Sequence, residues 1–207
     1  MNATMIVLAG ANGAGKSTLY ATRVAPNFGG PFINADIIQR DELGDASPEA
    51  SYEAARIAAD KRQDFLNRRE DFVTETVFSH PSKLDLIHEA RAKGFDIVLM
   101  HIGVDSPDIS VERVAARVEE GGHPVPEDKI RARYARNGRF IRPAVLEADR
   151  GFVYDNSLLN VAPKRRLIFM NGRLMSAHPD LPSWILALYG DLLPQQAQPE
   201  RPKDSRA

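Results

Sequence analysis

The chain has 207 residues, 43% apolar and 27% charged, with a net charge of −1 and no cysteine. That length suits one sizeable α/β domain rather than two, and the balance is that of a soluble globular chain. Near-neutrality gives no general attraction to nucleic acid or an anionic membrane, the missing cysteine excludes disulfides, Cys-zinc sites and thiol catalysis, and no apolar run approaches the ~20 residues of a membrane span.

At the N-terminus neither a basic stretch nor a long apolar one suggests a signal peptide, so a cytoplasmic location is expected. MIVLA, Met5 to Ala9, predicts a buried strand. Gly15 to Val24 predicts a helix that stops near Pro26, and PFINAD, Pro31 to Asp36, a short second strand. Ser47 and Pro48 have the chemistry of an N-cap and first helical position, opening an Ala-rich helix to about Arg69. DFVTET, Asp71 to Thr76, is a third strand, and a helix follows from about Pro81 to Lys93, ended by Gly94. FDIVLMHIGV, Phe95 to Val104, is the most apolar run and the best central strand. Ser106-Pro107 begins a helix that ends at Gly121-Gly122. Pro126 begins another, which Pro143 is expected to kink or divide. GFVYDNS, Gly151 to Ser157, is a fifth strand. In RLIFMNGRLM, Asn171-Gly172 between apolar pairs predicts a hairpin. A short helix from about Leu181 to Tyr189 follows, and the polar, Pro-rich tail from 194 is expected to be disordered. Alternation of strand and helix predicts an α/β fold: a mostly parallel five-stranded sheet with helices on both faces and a C-terminal β-hairpin.

Gly10, Gly15, Lys16 and Ser17 satisfy G-x-x-x-x-G-K-[ST], between a predicted strand and a predicted helix. Such a loop curls so that successive N–H groups point at one anion, and the helix N-terminus adds its positive dipole end. Lys16 then reaches the β- and γ-phosphates, Ser17 offers its hydroxyl to Mg²⁺, and Thr18 is the next polar side chain, toward the α-phosphate. The candidate ATP-binding residues are Gly10, Ala11, Asn12, Gly13, Ala14, Gly15, Lys16, Ser17 and Thr18, with Ser17 the candidate metal ligand.

Such a loop serves switches, motors and kinases. A guanine switch carries Asn-Lys-x-Asp after a late strand, and this chain has YDNS there instead. A mechanical ATPase carries a strand ending in Asp-Glu, and none of the candidate strands does. A small-molecule kinase needs a carboxylate base, an acceptor pocket and an arginine-bearing lid. Asp36, just past the second strand, is the candidate base, or else the N-cap of the helix near Ile37. Glu75, Thr76 and Ser79 in TETVFS are candidate acceptor-binding residues, or else strand-end caps. The candidate lid runs from about 105 to 143. It carries Arg113 and Arg117 one helical turn apart, then a glycine break with His123, then Arg131, Arg133 and Arg136. Acidic neighbours allow the alternative of a solvated basic face. Asp155 and Asn156 end the fifth strand, where they would brace the loop or lie near the adenine.

GANGAGKST, FINAD, TETVFS, RVAARVEEGGHPVPEDKIRARYARN and YDNS, in this order from about Met5 to Ser157, resemble the zeta toxin family of P-loop kinases. The resemblance implies an ATP- and Mg²⁺-dependent phosphotransferase in one kinase domain over 1–193, acting on a hydroxyl of a small acceptor. In the toxins of this family that acceptor is UDP-N-acetylglucosamine, and some members are neutralised by a small helical antitoxin at the nucleotide site. By the resemblance Asp36 is the base, Lys16 and Ser17 hold phosphate and Mg²⁺, Glu75 and Thr76 belong to the acceptor site, and Arg117 and Arg133 match the lid arginines that stabilise the moving phosphoryl group, either role being open to Arg113, Arg131 or Arg136; Arg113 is also a candidate nucleotide-binding residue. Two alternatives stay open: a metabolic or resistance kinase with another hydroxyl acceptor, and a nucleotide-binding regulator without acceptor chemistry.

Overall fold

The computed structural model describes residues 2–119, 122 and 124–194. Among these, seven strands form one sheet: β1 (Thr4–Ala9), β2 (Phe32–Ile33), β3 (Phe72–Thr76), β4 (Asp96–Gly103), β5 (Arg150–Asp155), β6 (Lys164–Met170) and β7 (Arg173–Ala177). Their order is β2-β3-β1-β4-β5-β6-β7. The first five are mutually parallel, whereas β6 and β7 pair antiparallel. The hairpin therefore does not stand apart from a five-stranded sheet, as its sequence alone suggests, but extends it to seven. A lone two-stranded ribbon is marginal in water. Adding β6 to the edge of β5 buries Leu167 and Phe169 completely. Asn171 and Gly172 at the tip both adopt positive φ, 48° and 74°, as a two-residue hairpin turn requires.

The helices are α1 (Lys16–Leu19), α2 (Ala35–Ile37), α3 (Pro48–Arg68), α4 (Ser82–Ala92), α5 (Pro107–Glu119), α6 (Glu127–Glu147) and α7 (Ser183–Tyr189). β1 shows why both sheet faces are covered. Met5, Val7 and Ala9 join one apolar cluster with residues of α3, α4, α6 and α7, while Ile6 and Leu8 join a second with Leu19 and Val24. A strand buried on both sides reads as a continuous apolar run, which is how MIVLA is written.

Ser47 accepts the Ala50 N–H at 3.1 Å and Pro48 occupies the first turn, so α3 starts where its cap chemistry predicts. The segment from Lys16 to Val24 is shorter as α-helix than its pattern suggests: α1 gives way to a π-helical turn over Tyr20–Val24. Pro143 does not divide α6, which runs unbroken for 21 residues. Ile141, Ala144 and Val145 are buried on either side of the proline, and their burial outweighs the one backbone bond it removes. Of the expected hinge, Gly121 and His123 lie outside the described residues, as do 195–207 of the expected tail.

Candidate functional site

The carboxyl ends of β1, β2 and β3 open into a cleft of about 1540 Å³. This is the end of the strands, beside the point where the order reverses about β1, at which parallel sheets collect ligands. The loop after β1 forms one wall. Its shape leaves no room for a side chain at two positions. A Cβ on Gly10 would lie 2.2 Å from the Ile102 carbonyl oxygen, and Gly15 has φ 94° with a Cβ position 2.3 Å from Asn156 Nδ2. Asn156 donates from Nδ2 to the Ala14 carbonyl at 2.9 Å, and its own N–H is held by Gly103 O at 2.9 Å. It therefore braces the loop, which favours that alternative over a place beside the adenine.

Lys16 is only 6% exposed. Its Nζ donates to Ala11 O at 3.0 Å and lies 3.6 Å from Glu75 Oε1. Glu75 Oε2 accepts from Ser17 Oγ at 3.0 Å and from Asn34 Nδ2 at 2.9 Å. The TETVFS carboxylate thus accepts a hydrogen bond from the phosphate-loop serine and forms an ion pair with its lysine. Asn34 is the residue that sequence reasoning passed over. Its Oδ1 accepts from Asp36 N at 2.8 Å and from Ile37 N, so Asn34, not Asp36, caps α2. One buried side chain thereby ties the Glu75 carboxylate to the backbone that carries Asp36. The signal was present as an Asn at a strand-to-helix junction, a favoured capping residue.

Asp36 is left 63% exposed on the cleft, with Oδ2 3.8 Å from Arg117 Nη1. Thr76 also lines the cleft, and its hydroxyl accepts the Phe78 N–H at 3.0 Å, supporting the positive φ of 56° at Phe78. Ser79 does not line the cleft, whereas Ser82 and Lys83 do.

The arginines divide. Arg113, Arg117 and Arg133 line the cleft; Arg131 and Arg136 do not. Arg133 Nη1 donates to Asn12 Oδ1 at 3.1 Å, bringing α6 onto the tip of the loop. Arg113 Nη2 donates to Leu158 O at 3.1 Å, while its Nη1 is buried without a partner. Burial lowers the Arg113 guanidinium from its usual value, against the pull of Asp155. Arg131 instead pairs with Asp108 at 2.7 Å and Glu127 at 2.8 Å on the exposed α5–α6 surface, the solvated reading of that basic stretch.

These residues fit a nucleotide with a hard cation. The loop is pre-curled by its glycines, and Arg113, with one guanidinium nitrogen buried without a partner, is among the residues lining the same cleft. The Ser17 hydroxyl and Glu75 carboxylate are the oxygen donors that Mg²⁺ prefers. Among the described residues there is no group of three or more His, Cys, Asp or Glu able to hold a metal alone. Nor, among these residues, is any helix long and apolar enough to cross a membrane.

A family model described as Zeta toxin matches residues 2–157. An uncharacterised protein of Haemophilus influenzae is 30% identical over 131 residues, covering 62% of this chain and 91% of that protein. Among solved structures, a chain of the AvrRxo1-ORF1:-ORF2 crystal structure with ATP superposes with a TM-score of 0.68 at 15% identity, over 92% of this chain and 63% of that one. A chain from the PezAT chromosomal toxin–antitoxin system of Streptococcus pneumoniae gives 0.58 at 19% identity, over 75% and 69%. At such identities the superpositions establish the fold, a three-layer P-loop kinase architecture, and this chain spans less than two thirds of the AvrRxo1-ORF1 complex chain it matches.

Proposed function

The chain belongs to the zeta toxin family, and from that premise we propose that it is a Mg·ATP-dependent kinase that phosphorylates a hydroxyl of a small acceptor, UDP-N-acetylglucosamine being the first acceptor to test. The observation that carries the reading is the polar line from the Lys16–Glu75 ion pair through the Glu75–Asn34 hydrogen bond to the Asp36 backbone N–H, which joins a phosphate loop to the residue bearing a solvent-facing carboxylate in one cleft. The ATP named with the AvrRxo1-ORF1:-ORF2 structure supports the choice of nucleotide.

Bound Mg·ATP supplies the phosphoryl group and the cation that offsets its charge. The backbone N–H groups of the loop and the Lys16 ammonium hold the β- and γ-phosphates. Ser17 and Glu75 are the side chains that would hold the metal. Asp36 would take the acceptor hydroxyl proton as that oxygen bonds to the γ-phosphorus and the bond from that phosphorus to the β,γ-bridging oxygen breaks, the electron pair leaving with ADP. Asn34 fixes the backbone beneath Asp36, so the base is oriented before the acceptor arrives. Arg117 exchanges its pairing with Asp36 for the transferred group, and Arg133, held by Asn12, closes from the other side. Arg113 lies along the nucleotide. Thr76, which lines the cleft, orients the acceptor, a role that Ser79, off the cleft lining, does not share. The segment 105–143 acts as the lid of a kinase domain over 1–193, and a small helical antitoxin that covers the nucleotide site is the partner this reading expects.

The test is mass spectrometry of UDP-N-acetylglucosamine after incubation with protein, Mg²⁺ and ATP. A product heavier by one phosphoryl group is expected, absent with Lys16→Ala. Asp36→Asn should keep ATP binding and lose a factor of roughly 10²–10⁴ in kcat. Product from a different hydroxyl acceptor would keep the kinase and change its substrate. ATP binding with no transfer to any acceptor would sink the reading.

A further inference from the structure

Helix α7 begins against the carboxyl ends of β4 and β5, whose last residues, Gly103 and Asp155, are partners in the sheet. Ser183 Oγ and the Trp184 N–H both donate to Asp105 Oδ1, at 2.7 and 3.3 Å. The Trp184 indole Nε1–H donates to Asp155 Oδ1 at 3.1 Å. The six-membered ring of the indole lies where a side chain on Gly103 would have to go, 2.6 Å from the Cβ position, and meets the His101 ring edge-on with centroids 5.1 Å apart. One residue thus contacts both strand ends, and Ile185 and Tyr189 seat its helix in the core.

Each strand end carries part of the phosphate machinery. Asp155 precedes Asn156, which holds the Ala14 carbonyl from Nδ2 and is itself held through its N–H by Gly103 O. Asn156 Nδ2 comes so close to Gly15 that a shift of this brace moves the loop with it. Asp105 leads into α5, which carries Arg113 and Arg117. The Tyr134 hydroxyl donates to Val104 O at 2.8 Å, which fixes α6, next to Arg133, to the same turn. Asp155 is only 6% exposed, and a carboxylate so buried depends on its donors: Trp184 Nε1, Ser157 Oγ at 2.5 Å and, 3.6 Å away, Arg166 Nη2. Ser157 belongs to the same loop as Asp155, so the indole is the donor that ties Oδ1 to another element. Trp184 does not line the cleft. It acts on bound phosphates through these neighbours and not by contact.

We infer that Trp184 is a positioning residue for the phosphate loop: through Asp155 and Asn156 it sets the place of Ala14 and Gly15, and through Asp105 the root of α5. The inference rests on the kinase reading for what the loop binds, and adds a residue beyond 2–157, the stretch that the family model matches. Reacting groups misplaced by about 1 Å lose up to roughly a hundredfold in rate, so a brace outside the cleft has leverage on the chemistry inside it.

Trp184 is the one tryptophan of the chain, so its fluorescence reports this contact alone when excited at the red edge, where tyrosine does not absorb. Titrating the wild-type protein with Mg²⁺ and a non-hydrolysable ATP analogue should change the emission saturably, over the concentrations at which calorimetry shows the analogue binding. Trp184→Phe keeps an aromatic ring against Gly103 and the backbone N–H on Asp105, and removes the Nε1–H. It should raise KM for ATP, and the calorimetric Kd of the analogue, about tenfold, while the melting temperature moves by no more than about 4–8 °C. A merely structural role would lower the amount of folded enzyme, and so the apparent kcat, with KM for ATP unchanged. Silent emission while calorimetry shows the analogue bound would overturn the inference, and so would a folded Trp184→Phe protein with the wild-type KM and Kd. The emission decides alone if the variant fails to fold. If no acceptor is phosphorylated, yet the emission follows the analogue and the variant binds it more weakly, the kinase reading fails and the positioning role stands. Turnover with silent emission and an unchanged variant keeps the kinase and removes the role. An analogue that does not bind at all defeats both.

Discussion

Asn34 is the smallest feature on which the site depends. Its amide spends its oxygen on the N-terminus of α2 and one N–H on Glu75 Oε2. Glu75 in turn holds Ser17 Oγ and lies beside Lys16 Nζ. A carboxylate so close to the loop lysine would pull that lysine out of line if its own position were loose. Asn34→Ala should cost about 1–2 kcal/mol of stability through the lost cap and the lost bond to a charged group. It should also lower kcat more than it raises KM for ATP, because the loop itself is braced separately by Asn156. Denaturant unfolding and steady-state kinetics on the same preparation separate the two effects. A kcat at the wild-type level would show that Asp36 is oriented without this link.

At the scale of elements, the long helices do different work. α5 and α6 are linked by one exposed ion pair, Arg131 to Asp108, which contributes little to stability and can be remade when the helices shift. Arg133 on the same helix instead reaches Asn12. α7 is tied down more firmly. Trp184 Nε1 donates to Asp155 Oδ1 at 3.1 Å, and the Tyr189 hydroxyl meets His101 Nδ1 at 2.8 Å inside the core. Burial pushes His101 down to about 3 from its ordinary 6.5 and raises the Tyr189 hydroxyl above the usual phenol range. An unfolded histidine binds a proton near 6.5 and the folded one only near 3, so the unfolded state holds more protons in between. The stability that His101 contributes as a neutral ring is complete above about pH 6.5 and drains as pH falls toward 3. The melting temperature should therefore drop on acidification from pH 7 to 4, and His101→Asn should flatten that slope even though it lowers the starting value. An unchanged slope in the variant would assign the acid sensitivity to other groups.

On the scale of the whole molecule, the family match ends at residue 157, but the fold does not. Leu167 and Phe169 on β6 and Ile185 and Tyr189 on α7 have no exposed surface. At about 1.5–3 kcal/mol for each buried side chain, these four account for roughly 6–12 kcal/mol, comparable to the whole net stability of a typical domain. The same segment reaches the site's edge. Arg166 is buried 3.6 Å from Asp155, and Ser183 Oγ donates to Asp105 Oδ1 at 2.7 Å, on the loop that leads from β4 to α5. A chain cut after Ser157 should fail to give a cooperative melt by circular dichroism, although every residue proposed for chemistry is present. A folded, melting fragment would show that β6, β7 and α7 are an accessory layer.

Much of this was written locally. The loop Gly10–Ser17 declares itself because its glycines, lysine and serine are adjacent in sequence and answer to one geometry. MIVLA declares a strand buried on both faces because each of its residues must be apolar. The Ser47-Pro48 start of α3 and the Asn171-Gly172 turn follow from backbone rules that act within a few residues. Other features were decided only when distant segments met. Whether the hairpin extends the sheet depended on the free edge of β5, and whether Pro143 divides α6 on the apolar residues flanking it. That Asn34 and Glu75 meet the loop, and that Asn12 meets Arg133, depended on parallel strands bringing their carboxyl ends together. The sequence by itself determined the phosphate loop, the family and the alternation of strand and helix, because adjacent residues act on the same backbone. Only the tertiary structure decided which polar side chains pair across the cleft, because those pairings span tens of residues and are chosen by how the sheet is ordered.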